Sequence, residues 1–325
     1  MGVNASEHIS KLQRVLRSGN AAATSEIAAS WRRCIEVHGI DPAHHNPVAV
    51  VERAKLVQSQ QAMEQILSET EPELDRLFRL VRGAGYLVLV SDPNGITVAE
   101  RSEQSLLPEA DSPILGTLWA EESEGTNGIG TCLSLKRPTL VRQSDHLRLT
   151  NTNMICAAAP LFDPSGGVAG AIDITTFKSD VSASYLPLAL SVVAEAARRI
   201  EARLFRQAFA KSCILSLSES ETLNNSVPLV ALDSNYLVVG ATRAVRKQRG
   251  LTDEMLKRGI PLSQLLPSLE EARPDLANAE RMAIQQALAL HSNNVSAAAA
   301  YLGISRATLY RKLPEHRASH RRNSP

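Results

Sequence analysis

The stretch that most restricts how this chain can fold is Asn294-Val-Ser-Ala-Ala-Ala-Ala-Tyr-Leu-Gly303-Ile-Ser-Arg306-Ala-Thr-Leu-Tyr-Arg-Lys-Leu313. Its residues predict two short helices joined by a tight turn. Ser296 is placed to cap the first helix, the small face from Ala297 to Ala300 lets a second helix pack closely, and Gly303 supplies the permissive backbone of the turn. Ser305 is placed to cap the second helix. Leu309 and Leu313 hold that helix to a core, which leaves Arg306, Thr308, Tyr310 and Arg311 wholly or partly off the apolar stripe. The N-terminal residues of a helix held this way are free to enter a DNA major groove.

The stretch resembles the Fis-type helix-turn-helix that ends bacterial enhancer-binding activators, with the usual wording "GN-x-S-x-AA-x-x-LGISR-x-TLYRKL". Asn293 departs from the usual Gly, and Pro314, directly after Leu313, is predicted to end the recognition helix early. The resemblance implies a double-stranded DNA operator as partner. The residues assigned to it are Ser296, Ser305, Arg306, Thr308, Tyr310, Arg311, Lys312 and Arg317, with Arg306 reading a base and Lys312 and Arg317 meeting phosphates. A helical hairpin that merely packs would not require cations on its outward face. From Arg306 onward Arg306, Arg311, Lys312, Arg317, Arg321 and Arg322 stand against the single acid Glu315, while the whole chain carries only +1. Such segregation points to a DNA-binding module attached to a neutral remainder.

That remainder is large enough for one or two proper cores, since the chain has 325 residues of which 44% are hydrophobic. No run of eighteen apolar residues occurs and Met1 to Asn20 lacks an apolar signal segment, so a soluble, cytoplasmic protein with no membrane partner is expected. Cys34, Cys132, Cys156 and Cys213 are scattered without a CxxC pair and read as reduced, mostly buried thiols. Two tryptophans, five tyrosines and five phenylalanines are too few for a platform that stacks single-stranded bases.

Local patterns predict an α+β fold. A helix is expected over about 25–39, with Ile27, Trp31, Ile35 and Val37 apolar, and a further helical stretch over about 48–82, broken near Pro72. Residues 86–100 predict two strands around the turn Asp92-Pro93-Asn94-Gly95. The design returns over 157–174 around Asp163-Pro164-Ser165-Gly166, and more weakly over 228–240. An amphipathic helix is expected over about 184–210, with Leu188, Val192, Ala196, Ile200 and Leu204 apolar. The expectation is an antiparallel sheet flanked by helices, followed by a small all-α C-terminal domain.

The run from Trp119 to Leu133, with Gly125-Thr-Asn-Gly128-Ile-Gly130-Thr, and the run from Met154 to Gly166, with Cys156-Ala-Ala-Ala-Pro160, resemble the GAF sensory domain of AcoR-type acetoin-catabolism regulators. Ser30-Trp31-Arg32-Arg33 and Gly39-Ile40-Asp41-Pro42 are similar to that family's entry helices, and residues 227–266 to its reduced PAS-like segment. The division this implies is an N-terminal helical segment over 1–54, a GAF-type domain over 55–210, a PAS-like segment or linker over 211–272 and the helix-turn-helix domain with its basic tail over 273–325. The resemblance also implies a small organic effector. Trp119, Asn127, Cys132, Met154 and Cys156 are the side chains expected near its cavity, although core packing accounts for each equally well.

Related activators carry a central AAA+ ATPase with a G-x-x-x-x-G-K-[ST] phosphate loop, and no such loop occurs in these 325 residues. The Gly125 to Gly130 run reads as a tightly turning loop, with ligand contact by its amides as the alternative. Glu121, Glu122 and Glu124 read as a solvated loop face. Asp145 and His146 lie in a loop with no nearby Ser or Cys placed as nucleophile, and Cys34, His38, His44 and His45 do not have a common zinc spacing. Cys132 and Cys156 read as core thiols, with redox or haem ligation as the alternative. No catalytic site, metal or cofactor is therefore expected. The reading is a regulator that acts by occupancy, recruiting or blocking RNA polymerase, as a homodimer with the 184–210 helix as a candidate contact. Two further readings stay open: an accessory protein that competes or dimerises with a full-length AAA+ activator, and an enzyme.

Overall fold

A computed structural model describes residues 5–18, 20, 23, 25–44, 47–103, 105, 114–178, 180–217, 227–265, 280, 283–284, 287–288, 291 and 294–318, with residues 313–318 described by backbone alone. It separates into two compact units, Met1–Ile260 and Pro261–Pro325.

The first unit begins with α1 (Ala5–Arg17) and α2 (Glu26–Arg32), the latter capped by the Ser25 hydroxyl, which accepts the Ala28 N–H. The predicted helix over 25–39 changes geometry at Arg33, where the chain widens into a π-helical turn over Arg33–Val37. The wider turn rotates the following residues, so Cys34 is buried while Val37, expected on the apolar face, is 74% exposed. Trp31 packs with Leu12, Cys34 and Leu147, and its indole N–H donates to the Asp145 carbonyl at 2.8 Å. Next come α3 (Arg53–Ala62) and α4 (Glu64–Val81). Their break falls at Met63 rather than at Pro72. Pro72 and Ser68 are both exposed, where water is at hand for the Ser68 carbonyl that loses its N–H partner, and the helix continues.

Five strands, β1 (Leu87–Ser91), β2 (Thr97–Arg101), β3 (Thr139–Arg142), β4 (Ile155–Phe162) and β5 (Val168–Thr176), form an antiparallel sheet of order β2-β1-β5-β4-β3. Both Asp-Pro hairpins form for one reason. Asp92 Oδ1 accepts from the Asn94 and Ile96 N–H groups at 2.9 Å, and Asp163 Oδ1 accepts from Ser165 and Gly167 at 2.7 and 3.0 Å. The long-range pairing of β1 with β5, Val88 opposite Ile174, joins the two hairpins. Between β2 and β3 lie the short helix α5 (Glu121–Glu124) and α6 (Gly128–Leu135), and α7 (Leu186–Ala208) follows β5.

Period-two alternation assigns each strand residue a face. Val88, Val90, Ala157, Ala159, Ile172 and Ile174 pack against Leu74 and Leu77 of α4 and Val193, Ala196 and Ile200 of α7. Leu87, Leu89, Cys156, Ala158 and Ala171 meet Trp119, Ile129 and Cys132 on the other side. Leu188, expected on the apolar stripe of α7, is 60% exposed. It precedes Val193 by five residues, roughly 140° around the helix axis, so it faces away from the sheet.

A second antiparallel group, β6 (Cys213–Ser216), β7 (Leu229–Leu232) and β8 (Leu237–Ala241), is followed by α8 (Arg243–Arg249) and α9 (Asp253–Arg258). The weak hairpin signal over 228–240 is therefore a real pair of strands. Ala202 and Phe205 of α7 pack on its Leu229 and Ala231. The second unit contains α10 (Leu262–Leu265), α11 (Val295–Tyr301) and α12 (Arg306–Ala318).

Two of the three acids expected on a solvated face are buried instead. Glu121 is 6% exposed and accepts from Arg33 Nε at 2.7 Å, from Arg33 Nη2 at 2.9 Å and from Ser30 Oγ at 2.5 Å. The hydrogen bond to Glu121 raises the Arg33 pKa despite partial burial. Glu124 faces Arg148 Nε at 3.6 Å, yet burial still raises its pKa. Glu122 alone is exposed. The forked Arg33–Glu121 pair ties the first helices to the loop that opens α6. Arg33→Ala should lower the unfolding free energy by about 2–3 kcal/mol, at or below the bottom of the roughly 3–5 kcal/mol range for broken buried pairs because water reaches part of Arg33. Urea titration checks this, and an unchanged midpoint would show that the pair is merely superficial.

Candidate nucleic-acid interface and ligand pocket

In the second unit the first helix of the motif is capped by Asn294, whose side chain accepts the N–H groups of Ser296 and Ala297 at 3.1 and 3.2 Å. Ser296 is thus the second helical residue and exposed, not the cap as expected. A cap serves the amides two and three positions ahead, and Asn294 stands at that distance. Ser305 does cap α12: its Oγ accepts the Thr308 N–H at 3.1 Å and lies 2.8 Å from Thr308 Oγ1. Between the helices Gly303 adopts φ +65°, and the Ile304 N–H returns to the Ala299 carbonyl at 3.0 Å. Open space surrounds the Gly303 α-carbon, so the left-handed backbone alone is what calls for glycine there.

Ile284, Ala287, Ala298, Ala299 and Leu309 form the core of this unit. With Leu309 inward, Arg306, Tyr310 and Arg311 are exposed and Thr308 and Lys312 half-buried. The Arg306 guanidinium stands 5.5 Å from the Tyr310 ring centre, one turn along the same face. Lys312, expected to be free for phosphate, forms an ion pair with Glu280. The side chains of Arg317 and Leu313 lie outside the described residues. Helix α12 continues through Pro314 to Ala318 rather than ending there. A proline removes one bond to the preceding turn but keeps helical φ, so it need not stop a helix.

In the first unit a narrow pocket, with room for little more than a water molecule, opens between the sheet and the first turn of α6, lined by Leu89, Trp119, Asn127, Gly128, Ile129, Met154, Cys156, Asp173 and Thr175. Four of the five side chains expected near a cavity meet here. Cys132 is buried in the adjoining apolar cluster and is not among the lining residues. Asn127 caps α6: its Oδ1 accepts the Gly130 N–H, and its Nδ2 donates to the Trp119 and Gly125 carbonyls, all at 2.8 Å. Its amide is therefore spent on local backbone. The glycine-rich run turns at Gly125, with φ +70°, and then becomes helix rather than loop. Gly128 is required by proximity, because a Cβ there would stand 2.5 Å from Cys156 Cβ and 2.6 Å from Asp173 Oδ1.

Two polar residues of this site, Asp173 and Thr175, were not singled out from sequence. Asp173 is 1% exposed; its Oδ2 accepts from Thr175 Oγ1 at 2.5 Å, and its Oδ1 has no partner among the described residues. Burial pushes its pKa up to about 7 against the lowering effect of Thr175. One acid inside the apolar strand Ala169-Gly-Ala-Ile-Asp-Ile174 was the available signal. His146 does have a cysteine beside it, contrary to expectation: its Nε2 is 3.4 Å from Cys156 Sγ, and its Nδ1 is 3.1 Å from the Gln143 carbonyl. Because only a protonated Nδ1 can bond that carbonyl, Nε2 accepts from the thiol. Burial holds His146 down at about 4 and pushes the Cys156 thiol up. The two are a neutral hydrogen-bonded pair, opposite to the thiolate–imidazolium pairing of a nucleophilic cysteine.

Gly128→Ala should force the α6 turn away from the sheet and cost about 1–3 kcal/mol, the usual range for overpacking. Thermal unfolding of the variant checks this, and a melting temperature equal to that of the parent would mean that the turn yields freely.

Residues 275–316 match the model of the bacterial regulatory protein, Fis family, and residues 13–201 match the MimR N-terminal domain. The chain is 32% identical over 225 residues to the acetoin catabolism regulatory protein of Cupriavidus necator, covering 68% of this chain and 34% of that protein. It is 26% identical over 222 residues to the acetoin dehydrogenase operon transcriptional activator AcoR of Bacillus subtilis, covering 68% and 36% respectively. Against the propane 2-monooxygenase operon transcriptional activator MimR of Mycolicibacterium smegmatis the identity is 27% over 187 residues, covering 56% and 30%. The chain spans about a third of the length of these curated relatives. Since the N-terminal match takes in more than half of its residues, the chain belongs to the family of the MimR N-terminal domain and carries in addition a Fis-family helix-turn-helix.

Proposed function

We propose that the chain is a DNA-binding transcriptional regulator in which the first unit takes a small organic effector and α12 of the second reads an operator. The observation that carries this reading is Arg306, exposed at the first position of a helix capped by Ser305 within the Fis-family match. The relatives named as transcriptional activators support it. Regulation rests on occupancy, with RNA polymerase recruited or excluded, since these residues hold no ATPase phosphate loop. A single helix-turn-helix buries little DNA surface, so two copies are proposed to read half-sites about one helical turn apart. The division at about 54, 210 and 272 is proposed as its domain plan.

The test is competition between mapped genomic binding sites and scrambled duplexes, using the full chain. Arg306→Ala should weaken operator binding by roughly ten- to a hundredfold, the loss of one bidentate guanine contact, and change nonspecific binding little. Lys312→Ala should weaken both together and lessen the salt dependence if a DNA phosphate takes Lys312 from Glu280, because such a contact releases counterions whatever the sequence; an unchanged salt dependence would leave Lys312 with Glu280. An Arg306→Ala protein that keeps its full specificity ratio would transfer base reading to Thr308 or Arg311. Binding that occurs only together with a full-length activator would favour the accessory reading.

A further inference from the structure

We infer that Tyr310 is a second base reader of α12. Its ring, with the small Ala307 beside it, receives the C5-methyl group of a thymine close to the guanine read by Arg306, and its face holds the Arg306 guanidinium in place. This rests on reading α12 as the helix that enters the operator, and adds a residue and a base that the reading leaves open.

Helical geometry sets which side chains can share a groove. Successive residues turn by about 100° and rise by about 1.5 Å. Leu309 is fully buried and marks the inward direction. Counted from it, Arg306 stands at about 60°, Tyr310 at about 100°, Ala307 at about 160° and Arg311 at about 200°. All four are exposed. Thr308 and Lys312 fall at about 260° and 300°, on the other flank, and are half-buried. The outward face is therefore a strip in the order Arg306, Tyr310, Ala307, Arg311, two cations on either side of an apolar centre.

That centre has a shape. Tyr310 is 50% exposed, and Ala307, three positions earlier and its neighbour on the helix surface, carries only a methyl group. A large ring beside a small residue leaves a notch open to the outside. The apolar group that a base pair offers in the major groove is the thymine C5-methyl, for which alanine and aromatic side chains are suited partners. The donor and acceptor edges of the other bases would lose hydration against the notch and gain nothing from it. Four residues of helix rise about 6 Å, and base pairs stack about 3.4 Å apart, so the methyl lies within about two base pairs of the Arg306 guanine.

Tyr310 also acts on Arg306. The guanidinium stands 5.5 Å from the ring centre, one turn earlier on the same face. A free arginine side chain loses rotamer freedom when it docks on a guanine, and one already held against a ring has less to lose. Both roles need the ring and neither needs its hydroxyl, so phenylalanine is the conservative replacement.

Duplexes selected by the full chain from a random library are the probes. Each guanine is replaced in turn by 7-deazaguanine, which lacks the N7 acceptor, and each thymine by uracil, which lacks only the methyl group. The guanine whose replacement has no further effect in Arg306→Ala is the one that Arg306 reads. Uracil for one thymine within about two base pairs of it should weaken binding by about fourfold for each half-site, the value of burying one methyl group. Tyr310→Ala should bind the thymine and uracil duplexes equally, and so should Ala307→Val, which fills the notch. Tyr310→Phe should keep the fourfold ratio. The effects of Arg306→Ala and Tyr310→Ala on operator binding should depart from additivity by about two- to fivefold, the strength of an exposed cation–π contact, which a tyrosine that merely stiffens the helix would not produce. Should Tyr310→Ala not fold, Ala307→Val and the uracil series in the parent decide the matter. A uracil series without a sensitive position near the guanine, or a ratio that survives Tyr310→Ala or Ala307→Val, would overturn this inference and leave Arg306 as the reader. A guanine series unaltered by Arg306→Ala, or a library from which no duplex is selected, would overturn the reading of Arg306 and this inference together.

Discussion

Covering the five-stranded sheet on both faces is the constraint from which most of the first unit follows. Helices α4 and α7 take one side, and α6 with Trp119 takes the other, so a strand side chain on either face is removed from water. Apolar residues gain from this, at about 25 cal/mol for each Å² buried. Polar residues must find partners inside the protein, and the partners they find define the candidate site.

The polar groups divide by how completely they are satisfied. Glu121 accepts a forked arginine and a serine hydroxyl, and holds the first helices to the α6 loop. His146 is neutral, fixed between the Gln143 carbonyl and the Cys156 thiol. Among the described residues Asp173 finds a partner at one oxygen only. Natural cores rarely leave such a group alone, and one that lines a pocket is where a ligand adds most. Glycine at 128 is the companion requirement, since any side chain there would occupy the space between α6 and the carboxyl.

The second unit obeys a different economy. Its core is a handful of small and branched side chains around Ala298, Ala299 and Leu309, enough to set two helices at a fixed turn. Among the described side chains of α12 the cations are Lys312, paired with Glu280, and Arg306 and Arg311, both exposed. Packing thus governs the pocket-bearing unit, while presentation governs the helix-turn-helix.

Local chemistry determined what could be read without the fold. Both Asp-Pro hairpins, the Ser305 cap, the Gly303 turn and the inward Leu309 were legible because each depends on residues within about four positions, the reach of turn and helix hydrogen bonds. Near misses arose where phase matters: the π-helical turn moved Val37 outward, a five-residue offset moved Leu188, and Asn294 took the cap expected of Ser296. Trp119, Asn127, Met154 and Cys156 were legible as a set through the family-like runs, but not their division of labour. Asp173 meets the α6 turn across a span of 45 residues, and Arg33 reaches Glu121 across 88. Whether an acid is solvated, paired or left half-satisfied depends on such contacts, because burial is a property of neighbours in space and not of neighbours in sequence.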